Sequence, residues 1–154
     1  MGQGIMTSYL QIFSEQLQIP VNQLKVLQGD TDLVEGHGSV GSRSLFVGGN
    51  AILRGIEDFL EECKQLAASE LEASVEDLEY HQGYFQVKGT RVGIGIFDLC
   101  SRQSGNSISV KRKKELTGRS WPNGCHVAEV EIDAESGKVR LDRYVSVDDV
   151  GNTV

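Results

Sequence analysis

The feature that most constrains this chain is a glycine-rich stretch, Gly36 to Gly49, which runs directly into a long helical pattern. Its glycines stand at positions 36, 38, 41, 48 and 49, and Arg43 lies between two serines. Glycine permits close backbone approach, and a helix N-terminus offers unpaired N–H groups and the positive end of a dipole. The stretch therefore predicts a cradle for a phosphate or pyrophosphate. A flexible loop with a serine N-cap is the alternative interpretation.

Composition restricts the class of protein. The chain has 154 residues, 39% of them hydrophobic and 24% charged, which is typical of one globular domain. The formal net charge of −7 argues against a nucleic-acid partner, which requires a basic face. The basic run Lys111 to Lys114 is more typical of a solvated loop or strand edge. No apolar run is long enough to cross a bilayer, so we expect a soluble domain without a membrane partner.

The cysteines and histidines show no spacing typical of a metal site. They stand at positions 63, 100 and 125 and at positions 37, 81 and 126, without CxxC, HxH or HxxxH pairs. We therefore predict no protein-ligated metal and no disulfide framework. The N-terminal MGQGIMTS lacks the pattern of a secretory signal, and the expected location is the cytoplasm.

Hydrophobic periodicity predicts an α+β fold. The elements indicated are a helix with Met6, Leu10, Phe13 and Leu17 on one face, a short β-like segment Leu24–Leu27, a long helix Ser44–Leu71, a hairpin Leu78–Val87, a strand-like run Arg91–Ile96, a short helix Phe97–Gln103, and a hairpin of Val127–Ile132 and Val139–Val147. Hairpins interleaved with helices favour two layers, with antiparallel hairpins packed against the long helix and the shorter N-terminal helix. We expect residues 1–154 to form a single domain. The abrupt opening and the abrupt end after Val147 predict an internal piece of a longer polypeptide.

Six short motifs occur in one order along the chain: MGQGxxT, QGDTD, a glycine loop ending in GSRS, GG-A before the long helix, PNGCHVAEVEID, and ESGKV followed by VDDVG. In that order they resemble the molybdenum hydroxylases, the xanthine dehydrogenase and aldehyde oxidase family. The resemblance covers nearly the whole chain and corresponds to an internal part of the molybdopterin-binding large subunit. The GSRS form is most similar to bacterial carbon monoxide dehydrogenase and aldehyde oxidoreductase-type members.

The resemblance implies a molybdenum cofactor held through a molybdopterin, in many bacterial members as the cytosine dinucleotide. It assigns cofactor contacts at the MGQG turn and at the second glycine loop, while Thr7 is a weaker candidate on the nucleotide side. The implied cofactor-binding residues are Met1, Gln3, Gly4, Gly41, Ser42, Arg43, Ser44 and Leu45. The protein would supply no metal ligand of its own.

The chemistry implied is hydroxylation of aldehydes, purines or N-heterocycles with water as the oxygen source. Electrons would leave through iron–sulfur clusters to FAD on partner domains or subunits. In the family a glutamate in a GxGE-type motif acts as general base, and this sequence has no such motif. Glu129 and Glu131 stand in a strand pattern and are interpreted as solvent-facing. No catalytic residue is therefore assigned.

We accordingly expect the isolated chain to be inactive and to need the remainder of the large subunit. Apolar surface that the rest of the subunit would cover predicts self-association of the bare fragment. The alternative hypothesis is a non-catalytic module that binds a phosphate ligand or another protein on the same scaffold.

Overall fold

The computed structural model describes residues 2–33, 36, 38–111, 121–151 and 153–154. The chain divides into two compact units, Met1–Leu116 and Thr117–Val154. In the described residues, the first unit contains three α-helices and a three-stranded antiparallel sheet, and the second contains a two-stranded antiparallel sheet. The predicted α+β class is confirmed, with the two hairpins in separate sheets.

The first helix, α1, spans Ile5–Leu17, as the periodicity predicts. It ends at Gln18, whose left-handed backbone (φ 51°) closes the last turn, and Pro20 follows. The prediction of a β-like segment at Leu24–Leu27 is wrong, because these residues form no strand. Leu24 has an extended backbone, but an extended segment becomes a strand only when a neighbour pairs with its N–H and C=O groups.

The long helix, α2, spans Ser44–Glu70 and confirms the second predicted helix. Its buried positions, which include Ile56, Cys63 and Ala67, recur at helical spacing along one face. The acidic residues between them lie on the more exposed side. This apolar stripe is the largest helical contribution to the core.

The three-stranded sheet has the order β1 (Leu78–His81), β2 (Tyr84–Val87) and β3 (Gly93–Gly95). Gln82 and Gly83 connect β1 to β2 with positive φ angles of 49° and 77°, as a two-residue hairpin turn with the twist of the strands requires. The third helix, α3, follows β3 directly. It spans Ile96–Arg102 and confirms the predicted helix Phe97–Gln103 with both ends one residue earlier, so that Ile96, predicted as the end of a strand-like run, belongs to the helix.

The core of the first unit lies between α2, the sheet and α3. Phe85, Leu78, Leu99 and Cys63 are its most deeply buried large side chains. Phe85 and Leu78 come from the sheet, Leu99 from α3 and Cys63 from α2, so the sheet and the two helices share one apolar interior. Leu17 at the end of α1 joins the same cluster. This packing fixes α1 against α2.

The second unit is the hairpin of β4 (Asn123–Ile132) and β5 (Val139–Asp149), which confirms the predicted hairpin. Its turn is closed by Asp133, whose carboxylate accepts hydrogen bonds from the Ser136 N–H at 2.7 Å and hydroxyl at 2.8 Å. These bonds hold the pKa of Asp133 below its usual value.

A bulge shifts the register of the hairpin between Glu129 and Val130, so that one residue of β5 has no partner. On the turn side of the bulge, Val130 pairs with Leu141. On the other side, Val127 pairs with Val145. Since strand positions alternate between faces, these two apolar pairs lie on opposite faces of the ribbon. Each face of the hairpin therefore carries an exposed apolar patch at one end.

Candidate functional site

The start of α1 is an N-terminus without a side-chain cap. Gly4 precedes it with φ 72° and ψ 11°, and the described residues provide no side-chain hydrogen bond at this position. The first intrahelical bond at this end runs from the Ser8 N–H to the Gly4 carbonyl at 3.1 Å. The N–H groups of residues 5–7 therefore have no acceptor within the helix. Gln3, in the turn before them, is exposed.

The start of α2 likewise has no side-chain cap among the described residues. Gly41 and Ser42 both have positive φ angles, 61° and 52°, and Arg43 precedes the helix without a capping side chain among the described residues. A positive φ costs a non-glycine residue roughly 1 kcal/mol, and such strain concentrates at ligand sites. The Ser44 hydroxyl donates to the Ser39 hydroxyl, so it holds the preceding loop instead of capping the helix.

Tyr9 joins the two helix starts. It lies in the second turn of α1, and its hydroxyl donates a 2.9 Å hydrogen bond to the carbonyl of Ser44, the first residue of α2. Burial raises the pKa of Tyr9 above its ordinary value of 10.0, and a phenol is already protonated at neutral pH at that ordinary value, so this hydroxyl is a donor. Further along, a Cβ added at Gly49 would lie 3.4 Å from Cδ1 of Ile12. The two helices therefore run side by side in the same direction and start at the same end of the unit.

The predicted cradle is correspondingly shorter than the sequence indicates. Gly48 and Gly49 lie inside α2 and face α1, so they belong to the helix contact and not to a ligand loop. A Cβ at Gly48 would stand only 1.9 Å from the Tyr9 hydroxyl oxygen. The loop that precedes α2 supplies the remaining glycines of the cradle.

The two adjacent helix starts favour a bound anion. Their N–H groups and dipole ends are positive, and neither first turn contains an acidic side chain. A Cβ at Gly4 or Gly41 would meet no atom within 4 Å, so a ligand has room to approach the backbone there. Arg43, half-buried and directly before α2, offers a planar guanidinium for phosphate oxygens. The residues present therefore fit a phosphate-bearing cofactor.

A separate polar cluster lies on the hairpin. His126 Nδ1 lies 2.7 Å from the Tyr144 hydroxyl, and its Nε2 lies 3.0 Å from the Asp148 carboxylate. Gly124 and Ala128 are the cross-strand partners of Asp148 and Tyr144. Because both are small, the imidazole can lie between the two larger side chains. The cluster links both strands and stabilises their register, and sequence reasoning did not find it because it depends on that register.

The described residues show neither a metal cluster nor a membrane span. Within the described ranges, no three His, Cys, Asp or Glu side chains lie close enough together to hold a metal ion. In the same part of the chain, no helix combines the length and apolar character that a membrane span requires.

The family model for the molybdopterin cofactor-binding domain matches residues 1–154. The chain belongs to this family. The resemblance found in the sequence motifs is thereby confirmed, and the match spans both compact units. The pterin of such a cofactor carries a phosphate group, which is the chemistry that the two helix starts favour.

Curated relatives of this domain are subunits of larger enzymes. The chain is 28% identical to the 6-hydroxypseudooxynicotine dehydrogenase complex subunit gamma of Paenarthrobacter nicotinovorans, covering 99% of this chain and 20% of the relative. It is 29% identical to the carbon monoxide dehydrogenase large chain of Hydrogenophaga pseudoflava, again covering 99% and 20%. The chain thus spans about a fifth of the length of these relatives.

Among solved structures, the domain is similar to quinoline 2-oxidoreductase from Pseudomonas putida 86. The TM-score is 0.77 at 28% identity, and the alignment covers 97% of this chain and 20% of that one. The names of these three proteins refer to three different substrates at nearly equal identity. Likeness over this domain therefore does not select a substrate.

The structure brings most of the predicted cofactor residues to one end of the first unit. Gln3 and Gly4 lie at the start of α1, and the predicted segment from Gly41 to Leu45 lies at the start of α2. Met1 lies outside the described residues. Their contact with a cofactor stays a prediction. Sequence reasoning missed Tyr9, because an aromatic residue in an amphipathic helix does not by itself indicate a contact with another helix.

Proposed function

We propose that this domain forms part of the molybdopterin-binding wall in the large subunit of a molybdenum-dependent oxidoreductase. The observation that supports the proposal is the pair of uncapped helix starts held side by side by the Tyr9–Ser44 hydrogen bond. The family match supports the identity of the ligand. The cofactor, when bound, would supply the redox chemistry of a hydroxylation in which water provides the oxygen atom.

Each group at the helix starts has a distinct role in this proposal. The N–H groups that open α1 and α2 donate hydrogen bonds to phosphate oxygens, and Arg43 neutralises their charge. The Ser42 hydroxyl and the Gln3 amide donate to polar edges of the pterin. Gly4 and Gly41 let the backbone approach closely, and Leu45 covers an apolar part of the ligand. Met1 is proposed to approach the pterin from the MGQG turn.

The finer assignments rest on the family resemblance. We infer a molybdopterin, either as such or as its cytosine dinucleotide, partner modules that hold iron–sulfur clusters and FAD, and a cytoplasmic location. The substrate class is aldehydes, purines or N-heterocycles. The catalytic base would be a glutamate outside these residues, so the isolated chain would not turn over substrate. The whole large subunit would be required for activity.

A second candidate function is a non-catalytic module that binds a phosphate ligand on the same scaffold. The same helix starts favour it, because they are suited to any small anion of this type. The two proposals differ in whether the natural ligand contains molybdenum.

The test measures cofactor content in the large subunit that contains this domain, purified with its partner subunits from molybdate-replete cells. Molybdenum is measured by elemental mass spectrometry, and the nucleotide is identified after acid release. We expect near-stoichiometric molybdenum in the unmodified subunit and a loss of more than half of it in the variant Gln3→Ala with Ser42→Ala.

The matched control replaces the same residue types at exposed positions away from the helix starts, Gln11→Ala with Ser109→Ala. It should retain the molybdenum of the unmodified subunit. A subunit that contains phosphate ligand but neither molybdenum nor pterin would exclude the oxidoreductase proposal and favour the non-catalytic module.

A further inference from the structure

Two features of α2 hold the side chain of Tyr9 in place, a hydrogen bond at Ser44 and the absence of a side chain at Gly48. Its hydroxyl donates to the Ser44 carbonyl at 2.9 Å, across 35 positions of sequence. In an α-helix the Ser44 carbonyl also faces the N–H of residue 48, one turn later. A side chain at that residue would cover this carbonyl from the side on which Tyr9 approaches.

Gly48 keeps that side open. A Cβ added there would lie 1.9 Å from the hydroxyl oxygen of Tyr9 and 2.5 Å from Cζ of the same ring. Both distances are far below van der Waals contact, so any side chain at this position would displace the ring. A glycine inside a helix costs about 1 kcal/mol relative to alanine. Here that cost is compensated by the access of Tyr9 to the Ser44 carbonyl.

We propose that Tyr9 is a positioning residue for the anion site, with Gly48 as its required partner. By holding the first turn of α2 against the second turn of α1, Tyr9 sets the spacing between the two sets of N–H donors. A pyrophosphate that contacts both helix starts depends on this spacing. The inference rests on the proposed function, because it concerns the same site, but it assigns a role to two residues that do not touch the ligand.

The experiment uses the 154-residue chain and inorganic pyrophosphate as the probe, with dissociation constants measured by calorimetry or NMR titration. Tyr9→Phe retains the ring and removes the hydrogen bond. We expect it to weaken pyrophosphate binding about five-fold, which corresponds to about 1 kcal/mol. Tyr84→Phe, the same change at an exposed tyrosine of the sheet, should leave binding unchanged.

A second pair of variants tests Gly48. Gly48→Ala should weaken pyrophosphate binding at least as much as Tyr9→Phe does, because the new methyl group displaces the ring. Gly55→Ala lies in the same helix, where an added Cβ meets no atom within 4 Å, and should not change binding. In a Tyr9→Ala background, Gly48→Ala should have no further effect on binding, since the two substitutions remove the same contact.

Amide hydrogen exchange, measured by NMR without ligand, separates positioning from general destabilisation. In Tyr9→Phe the amides of Ser8 and Val47, which close the first turns of α1 and α2, should exchange several-fold faster. The amides of β1–β3 should exchange at the rate of the unmodified chain. Uniformly faster exchange across the sheet would show a merely structural role and would overturn the inference.

The two proposals fail in different ways. Equal pyrophosphate affinity in the unmodified chain and in Tyr9→Phe would overturn the positioning role while leaving the anion site intact. An unmodified chain that does not bind pyrophosphate would refute the anion site, and the role of Tyr9 would fall with it.

Discussion

At the scale of single residues, two glycines of the first unit differ in what an added methyl group would meet. A Cβ at Gly93 would lie 2.4 Å from the carbonyl oxygen of Phe85 and 2.5 Å from the ring of Tyr84. The backbone carbonyl cannot move without breaking the pairing of β2 with β3. A Cβ added at Gly55, inside α2, would meet no atom within 4 Å.

We therefore expect opposite effects from one substitution. Gly93→Ala should lower the free energy of unfolding by about 2–3 kcal/mol through overpacking. Gly55→Ala should raise it by about 0.8 kcal/mol, because alanine is the better helix former. Urea unfolding of both variants, followed by circular dichroism, measures the two changes. A Gly93→Ala variant as stable as the unmodified chain would contradict the geometry of β3.

At the scale of elements, the β4–β5 hairpin combines charged and apolar surface on each face. On one face, Glu129 and Arg143 form an ion pair at 3.9 Å near the turn, and Val147 is 71% exposed at the other end. On the opposite face the apolar residues lie near the turn and the charged residues lie at the other end. The register shift at the bulge produces this, because it moves the following residues of β5 to the other face. A two-stranded ribbon has two open edges and is marginally stable by itself.

This arrangement predicts that the isolated chain self-associates through the hairpin. Replacing Val139 and Val147 together by threonine should lower the average mass in sedimentation velocity at high protein concentration, because it removes apolar area from both faces. The matched control replaces Val21 and Val92, exposed valines of the first unit, in the same way. An unmodified chain that remains monomeric across the concentration series would disprove self-association.

At the scale of the whole molecule, the core contains two groups that resist ionisation. Burial, followed by the influence of Cys100 and Glu62, raises the pKa of Cys63 from 9.0 to about 12. Burial also raises the pKa of Tyr80 to about 12, with a smaller contribution from Cys63. In the unfolded chain both groups ionise at lower pH, so unfolding releases protons in alkaline solution. The free energy of unfolding is therefore unaffected by these groups below about pH 9 and falls as the pH approaches 12.

The corresponding measurement is urea unfolding between pH 8 and 11. The unmodified chain should lose stability steeply above pH 9, and Cys63→Ala, although less stable at pH 8, should show a shallower loss. Cys125→Ala removes an exposed thiol and should reproduce the steep profile of the unmodified chain. Parallel profiles for all three proteins would mean that the Cys63 thiol does not control alkaline unfolding.

Much of the secondary structure could be predicted from the sequence, because its signals are local. Each signal lies within a single element or hairpin: the apolar spacing of α1 and its stop before Pro20, the long apolar stripe of α2, and the turn residues of the two hairpins. The order of the short motifs also identified the family. By contrast, Leu24–Leu27 has residues suited to a strand, and only the absence of a pairing neighbour in the described fold keeps it irregular.

The tertiary structure alone decided which residues of different elements contact each other. The sequence places Gly48 in a glycine-rich stretch and Tyr9 in an amphipathic helix, and neither pattern indicates that the two residues meet. Their contact exists because the core holds α1 beside α2, which brings together residues separated by 35 to 39 positions. The sequence by itself determined that two glycine turns precede two helices. Packing determined that the two helices lie side by side, since only contacts between distant residues such as Tyr9 and Ser44 hold α1 against α2.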